Sequence, residues 1–185
     1  MTRIEEMLEF NKRFVADEKY KDYSREKYPH KKIAVLSCMD TRLTELLPAA
    51  LNFRNGDIKI IKNAGAVITH PYGSVMRSLL IAVYELGIED IVVIGHYDCG
   101  MQGMDAARLI SKMAARGIEP AKIEDVCHCI DITQWLSGFE KVEDAVCETV
   151  KIIRDHPFMP ADIRIHGFVI NPETGQLDRV RDEGL

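Results

Sequence analysis

Three short, nearly unbroken apolar runs set the tightest limits on the fold: Ile33-Ala34-Val35-Leu36, Ile58-Lys59-Ile60-Ile61 and Ile91-Val92-Val93-Ile94. Runs that do not alternate with polar residues are strands covered on both faces, the signature of a parallel sheet. A fourth run spans Ile163 to Ile170 and meets the turn signal Asn171-Pro172-Glu173-Thr174-Gly175. Residues Gln176 to Val180 then suit a last edge strand. Helical periodicity fills the gaps, over Ser74 to Leu86 ending at Gly87, Met104 to Arg116 ending at Gly117, and Val142 to Arg154 closed by His156-Pro157. Strands alternating with helices predict an α/β fold with a parallel central sheet, right-handed crossovers and helices on both faces.

The start of the chain follows a different pattern. Thr2-Arg3-Ile4-Glu5 reads as a capping box, and Ile4, Met7, Leu8, Phe14 and Val15 recur at helical spacing. Residues 17–32 are charged and aromatic, a connection running over the surface. At 185 residues the chain supports one good core, so the expectation is a single domain, 1–185, with a helical arm at 1–32 and an α/β core at 33–185. The arm carries nine Lys/Arg against seven Asp/Glu, on a body with 15 against 22. An apolar helical stripe set off from its domain needs a surface, and a second subunit supplies one. The net charge of −5 provides no field for a nucleic-acid backbone. No apolar run approaches the ~18–20 residues of a membrane span, and Glu5, Glu6 and Glu9 spoil a secretory core. A cytoplasmic protein is expected, with neither nucleic acid nor membrane as partner.

The chemistry gathers after two strands. Ser37-Cys38-Met39-Asp40-Thr41-Arg42 follows the first, and Gly95-His96-Tyr97-Asp98-Cys99-Gly100 follows the third. Ligands of open α/β sheets bind beyond the carboxyl ends of the strands, where strand order reverses. If strands one and three are neighbours, Cys38, His96 and Cys99 converge, and the second strand falls outside the first. That gives the order 2-1-3-4, with the extra C-terminal strand at the edge. Two thiolates and an imidazole suit zinc, and three ligands leave a fourth tetrahedral position open for catalysis. Asp40 is close enough to occupy or border that position. Arg42 is close enough to compete for the carboxylate through a bidentate pair.

Cys-x-Asp-x-Arg after one strand and His-x-x-Cys after another resemble the β-class carbonic anhydrases. The likeness runs from about residue 30 to 180, through Asn63-Ala64-Gly65, Gly95-His96, His166-Gly167-Phe168-Val169 and Thr174-Gly175. The short length and Thr69-His70-Pro71-Tyr72-Gly73-Ser74 look like the small bacterial and archaeal type. The resemblance implies one Zn²⁺ per chain on Cys38, His96 and Cys99, with an Asp40–Arg42 dyad gating the fourth site. It implies a zinc lyase that hydrates CO₂ reversibly to bicarbonate and a proton by zinc-bound hydroxide. It also implies that the Gly100 main-chain amide faces the bound anion, and that N-terminal helices clasp a homodimer or higher homo-oligomer. Lys62, Ala66 and Tyr97 depart from residues frequent in the family. Two alternatives share the site: a hydrolase for carbonyl sulfide or carbon disulfide, and a zinc-binding sensor or scaffold in which Asp40 never frees the fourth position.

Other chemical side chains receive plainer readings. His30 and His70 are candidates by type alone for moving the released proton. Cys127-His128-Cys129 would point two thiols ~200° apart on a helix, so packing is expected rather than a second metal site. Cys147, Trp135 and Leu136 are read as packing, and Gly65 as a tight loop near the site.

Overall fold

A computed structural model describes residues 1–180; residues 181–185, the end of the expected domain, lie outside the described residues. The arm forms α1 (Arg3–Ala16). Its capping box is complete, with Glu5 N–H donating to Thr2 Oγ1 at 3.3 Å and Thr2 N–H to Glu5 Oε2 at 2.7 Å. The core follows as β1 (Ile33–Cys38), α2 (Leu43–Ala50), β2 (Ile58–Asn63), α3 (Ser74–Leu86) and β3 (Asp90–His96). Next come α4 (Ala106–Ala115), α5 (Pro120–Cys127), α6 (Ile132–Leu136), α7 (Val142–Arg154), β4 (Arg164–Ile170) and β5 (Leu177–Arg179).

The strands make one sheet in the order β2-β1-β3-β4-β5. The first four are parallel, and β5 returns antiparallel along β4. The order expected from the site is therefore the observed one, including the extra edge strand. In register, Ser37 faces Ile94 between β1 and β3, which brings the ends of those two strands side by side.

Each face of the sheet buries its own core. On one, Ala34, Leu36, Ile91, Val93 and Val169 meet Met76, Leu79 and Ala82 of α3 and Val142, Val146 and Val150 of α7. On the other, Val35, Ile94 and Ile170 meet Leu43 and Leu47 of α2, together with Cys38 and Cys99. Two strand glycines set the height of α7. A Cβ at Gly95 would stand 2.6 Å from Val142 Cγ2, and one at Gly167 would stand 2.8 Å from Val146 Cγ1. Neither is a possible carbon–carbon contact, so α7 rests on bare backbone at these two positions.

The stretch from α4 to α6 departs from expectation. It packs mainly on itself, α4 against α6, and buries only Ala106 and Ile132 within its helices. Cys127, Cys129 and Trp135 are exposed, so the packing role read from the sequence does not hold for them. The physical reason is position: this segment is an excursion between β3 and α7 whose main helix contact is internal, between α4 and α6. Cys147 is half-buried on α7, as its place in the apolar stripe requires.

Candidate metal centre

The last residue of β1 is Cys38, and the last of β3 is His96, with Cys99 three residues further on. All three are buried, and their ligand atoms lie within 4.8 Å of one another. Among the described residues they form the one group of three side chains that could hold a metal. The sulfurs of Cys38 and Cys99 are 3.9 Å apart. Tetrahedral zinc with Zn–S bonds near 2.3 Å separates two thiolates by roughly 3.8 Å, so the pair is already spaced for it.

His96 supports the same fit. Its Nδ1 lies 2.8 Å from its neighbour's main-chain carbonyl, at Tyr97, and donates to it. That leaves a lone pair on Nε2, which is buried without a hydrogen-bond partner. An orphaned buried acceptor is costly unless something fills it, and a divalent cation answers this one. The thiols are electrostatically split. The contact with Cys99 draws the Cys38 thiol down to about 4 against the penalty of burial, helped by His96 and the Gly65 N–H. The same contact, and then burial, pushes the Cys99 thiol up. A cation held by both sulfurs would need them as thiolates and would displace any proton between them.

Gly65 serves the sulfur directly. Its N–H donates to Cys38 Sγ at 3.4 Å from a backbone at φ 82°, where a side chain is strained. A Cβ there would also press on Phe139 and Met101 at 3.0 and 3.1 Å. The short 3₁₀ turn Ala64–Ala66 carrying Gly65 is braced by Asn63, whose Nδ2 donates to the Val67 carbonyl at 2.6 Å.

Asp40 and Arg42 stand beside the cluster. Arg42 donates from Nε to Asp40 Oδ1 at 3.0 Å and from Nη2 to Oδ2 at 2.9 Å, and its main-chain N–H also reaches Oδ1. This fork holds the Asp40 carboxyl down to about 2, so it is ionised at any working pH. Gly100 is exposed next to Cys99, with open space around it. The two histidines singled out for proton transfer are exposed and engaged elsewhere. His30 lies 3.9 Å from Asp57, and His70 accepts from the Tyr72 N–H.

One residue escaped the sequence reading. Asp98, between His96 and Cys99, also receives Arg42, through its carboxylate and its own carbonyl. The available signal was a carboxylate two residues from His96, but nothing in the spacing says which cation it meets. Tyr97, a departure from the family's usual residue, donates its hydroxyl to Asp178 on β5 at 3.2 Å. It ties the loop after β3 to the edge strand.

A family model for carbonic anhydrase matches residues 33–177, from the first residue of β1 to the first of β5. A crystal structure of a β-carbonic anhydrase from Trichomonas vaginalis superposes with a TM-score of 0.88 at 32% identity, covering 97% of this chain and 98% of that one. This chain belongs to the β-carbonic anhydrase family. It is 49% identical to YtiB of Bacillus subtilis, whose name carries a provisional carbonic anhydrase assignment, over 97% of both chains. It is also 27% identical to a protein of Acidianus named carbon disulfide hydrolase, over 80% of this chain and 76% of that one. Among the described residues no helix is long and apolar enough to cross a membrane.

Proposed function

We propose that this β-carbonic anhydrase family member hydrates CO₂ reversibly to bicarbonate and a proton with one Zn²⁺ per chain. The observation that carries the reading is the buried Cys38, His96 and Cys99 cluster with its unpartnered Nε2, bordered by a carboxylate that an arginine keeps ionised. Cys38, His96 and Cys99 would hold the ion, which supplies a Lewis acid that makes water nucleophilic near neutral pH.

The chain's own groups do the rest. Asp40, ionised and fixed by Arg42, accepts a hydrogen bond from the attacking water and aims its lone pair at the carbon of CO₂. Arg42 keeps that carboxylate away from the metal position. The Gly100 N–H faces the developing bicarbonate and donates to it. The buried Cys38 and Cys99, with the partly buried Met101 and Phe139 packed against them, limit the access of bulk water to the cluster.

The likeness to a carbon disulfide hydrolase does not outweigh this reading, because the relatives closer in sequence carry carbonic anhydrase names. Stopped-flow CO₂ hydration on metal-quantified protein tests it, with carbonyl sulfide and carbon disulfide run in parallel. Hydration at a rate above that of free zinc is the expected result. Turnover of only the sulfur substrates, or of none with zinc bound, overturns it.

We read the chain as one domain that assembles into a homodimer or higher homo-oligomer through α1. No residue of α1 is buried, and Ile4, Met7, Leu8, Phe10 and Val15 are all exposed on it. Thiolate ligands and an odd cysteine count suit a reducing compartment, and the cytoplasm is the place proposed.

A further inference from the structure

Arg42 is gripped from two sides. Asp40 takes Nε and one Nη2 hydrogen, at 3.0 and 2.9 Å. Asp98 takes the other side: Nη1 donates to its Oδ2 at 2.9 Å, and Nη2 donates to its main-chain carbonyl, also at 2.9 Å. Four of the five guanidinium N–H donors are used by these two residues.

The grip by Asp98 depends on an unusual backbone. Its φ is 53°, a left-handed conformation that aspartate tolerates better than most residues. Asp98 lies between His96 and Cys99, so the turn that brings Cys99 back to Cys38 is the same turn that presents the Asp98 carbonyl and carboxylate to Arg42. The metal cluster and the second anchor of the arginine are thus built by one bend of the chain.

We propose that Asp98 is a positioning residue: it fixes the Arg42 guanidinium at the mouth of the metal cluster, within reach of Asp40 whether or not Asp40 is bound to it. This rests on the reading of Asp40 and Arg42 given under Proposed function. When Asp40 turns towards the metal, an arginine with one anchor swings into solvent on a long flexible stem. An arginine with two stays in place to recapture the carboxylate. The second negative charge has an opposing effect, since it repels Asp40. That effect is small, because the Asp98 side chain is 86% exposed and water screens its charge. The anchor does not rest on charge alone, because the Asp98 main-chain carbonyl also holds Nη2 at 2.9 Å.

Two variants separate side chain from backbone. Asp98→Gly keeps the left-handed turn and removes the carboxylate, and Asp98→Asn keeps an acceptor at the same reach. A third, Asp98→Ser, shortens the side chain away from Nη1 and guards against a folding loss in the glycine variant. The measurement is exchange of the Arg42 Nε–H with water, by NMR on zinc-loaded, nitrogen-15-labelled protein, beside zinc content and CO₂ hydration. In Asp98→Gly and Asp98→Ser the exchange should quicken about threefold or more and hydration should fall about two- to fivefold, with zinc content unchanged. Asp98→Asn should restore most of both. Unchanged Arg42 exchange in the glycine and serine variants overturns the proposal whatever their rates. Wild-type protein that binds zinc and hydrates no CO₂ overturns the proposed function instead, and the exchange comparison still decides the role of Asp98.

Discussion

Oδ2 of Asp40 stands 3.8 Å from Nε2 of His96. That is too long for a hydrogen bond and short enough that a small rotation would bring the carboxylate onto a metal held by His96. The side-chain fork from Arg42, together with the Arg42 main-chain N–H on Oδ1, opposes that rotation. Under the proposed function, the relation between these two side chains sets whether the fourth position is open to water.

Arg42→Ala removes the side-chain fork, leaves only the main-chain N–H on Oδ1, and so frees Oδ2 of Asp40 to take the fourth position. Zinc content should stay near one per chain while CO₂ hydration falls by ~10²-fold or more, because an oriented acceptor and an open site are lost together. Stopped-flow assays on metal-quantified protein check this. A variant as fast as wild type at every pH would show that Arg42 gates nothing.

Cys38→Ala, His96→Ala and Cys99→Ala should each lose tightly held zinc, since two protein ligands do not retain it. Cys127→Ala and Cys129→Ala should keep it, because both thiols are exposed on the excursion after β3. Metal analysis of the five purified variants is sufficient. Full zinc in Cys99→Ala, or none in Cys129→Ala, contradicts the ligand set.

The sheet order and the convergence of Cys38, His96 and Cys99 were legible because they depend on each other. Cys38 and His96 end their strands, and only β1 beside β3 lets them meet. Helices α3 and α7 were legible to the residue, since their apolar stripes are long and end at Gly87 and at His156-Pro157. Helix α2 was not, because Pro48 inside it imitates a break and its eight residues show barely two turns of pattern. Helices α5 and α6 bury almost nothing, so burial leaves no period to read in them, although Pro120 at the first turn and the Asp131 cap were local signals. Asp98 was invisible for another reason. Its contact with Arg42 comes from a positive φ and a partner 56 residues away, and neither leaves a mark on spacing.

Acid stability should report on Asp90, the first residue of β3. Arg164 on β4 grips its carboxylate at 2.7 and 2.6 Å, and His166 adds a contact at 3.2 Å, which together hold the carboxyl below its ordinary value of 3.8 against a partial burial penalty. A carboxyl depressed in the folded state contributes stability that is whole above its unfolded value and fades as pH falls through its folded one. Asp90→Asn should therefore be less stable than wild type near neutral pH, and the gap should close below about pH 4. Urea midpoints of both proteins across that range test the sign. A gap that widens on acidification would place the stabilisation elsewhere.

The arm makes the last prediction. Helix α1 has a complete cap and a row of apolar side chains, yet none of its residues is buried within its own chain. Its own contacts reach mainly the turn Lys19–Tyr23, where Phe14 and Tyr23 approach with ring centroids 6.1 Å apart. A 14-residue helix is marginal alone in water, and the described residues supply no surface that buries its stripe. A second copy supplies it under the proposed assembly. Deleting residues 1–16 should then shift the light-scattering mass towards the monomer while the zinc site, carried entirely by residues of the sheet and its loops, stays loaded. Replacing Met7 and Leu8 with Glu should produce the same shift without shortening the chain. An unchanged assembly in both variants would mean that the subunits meet through another surface.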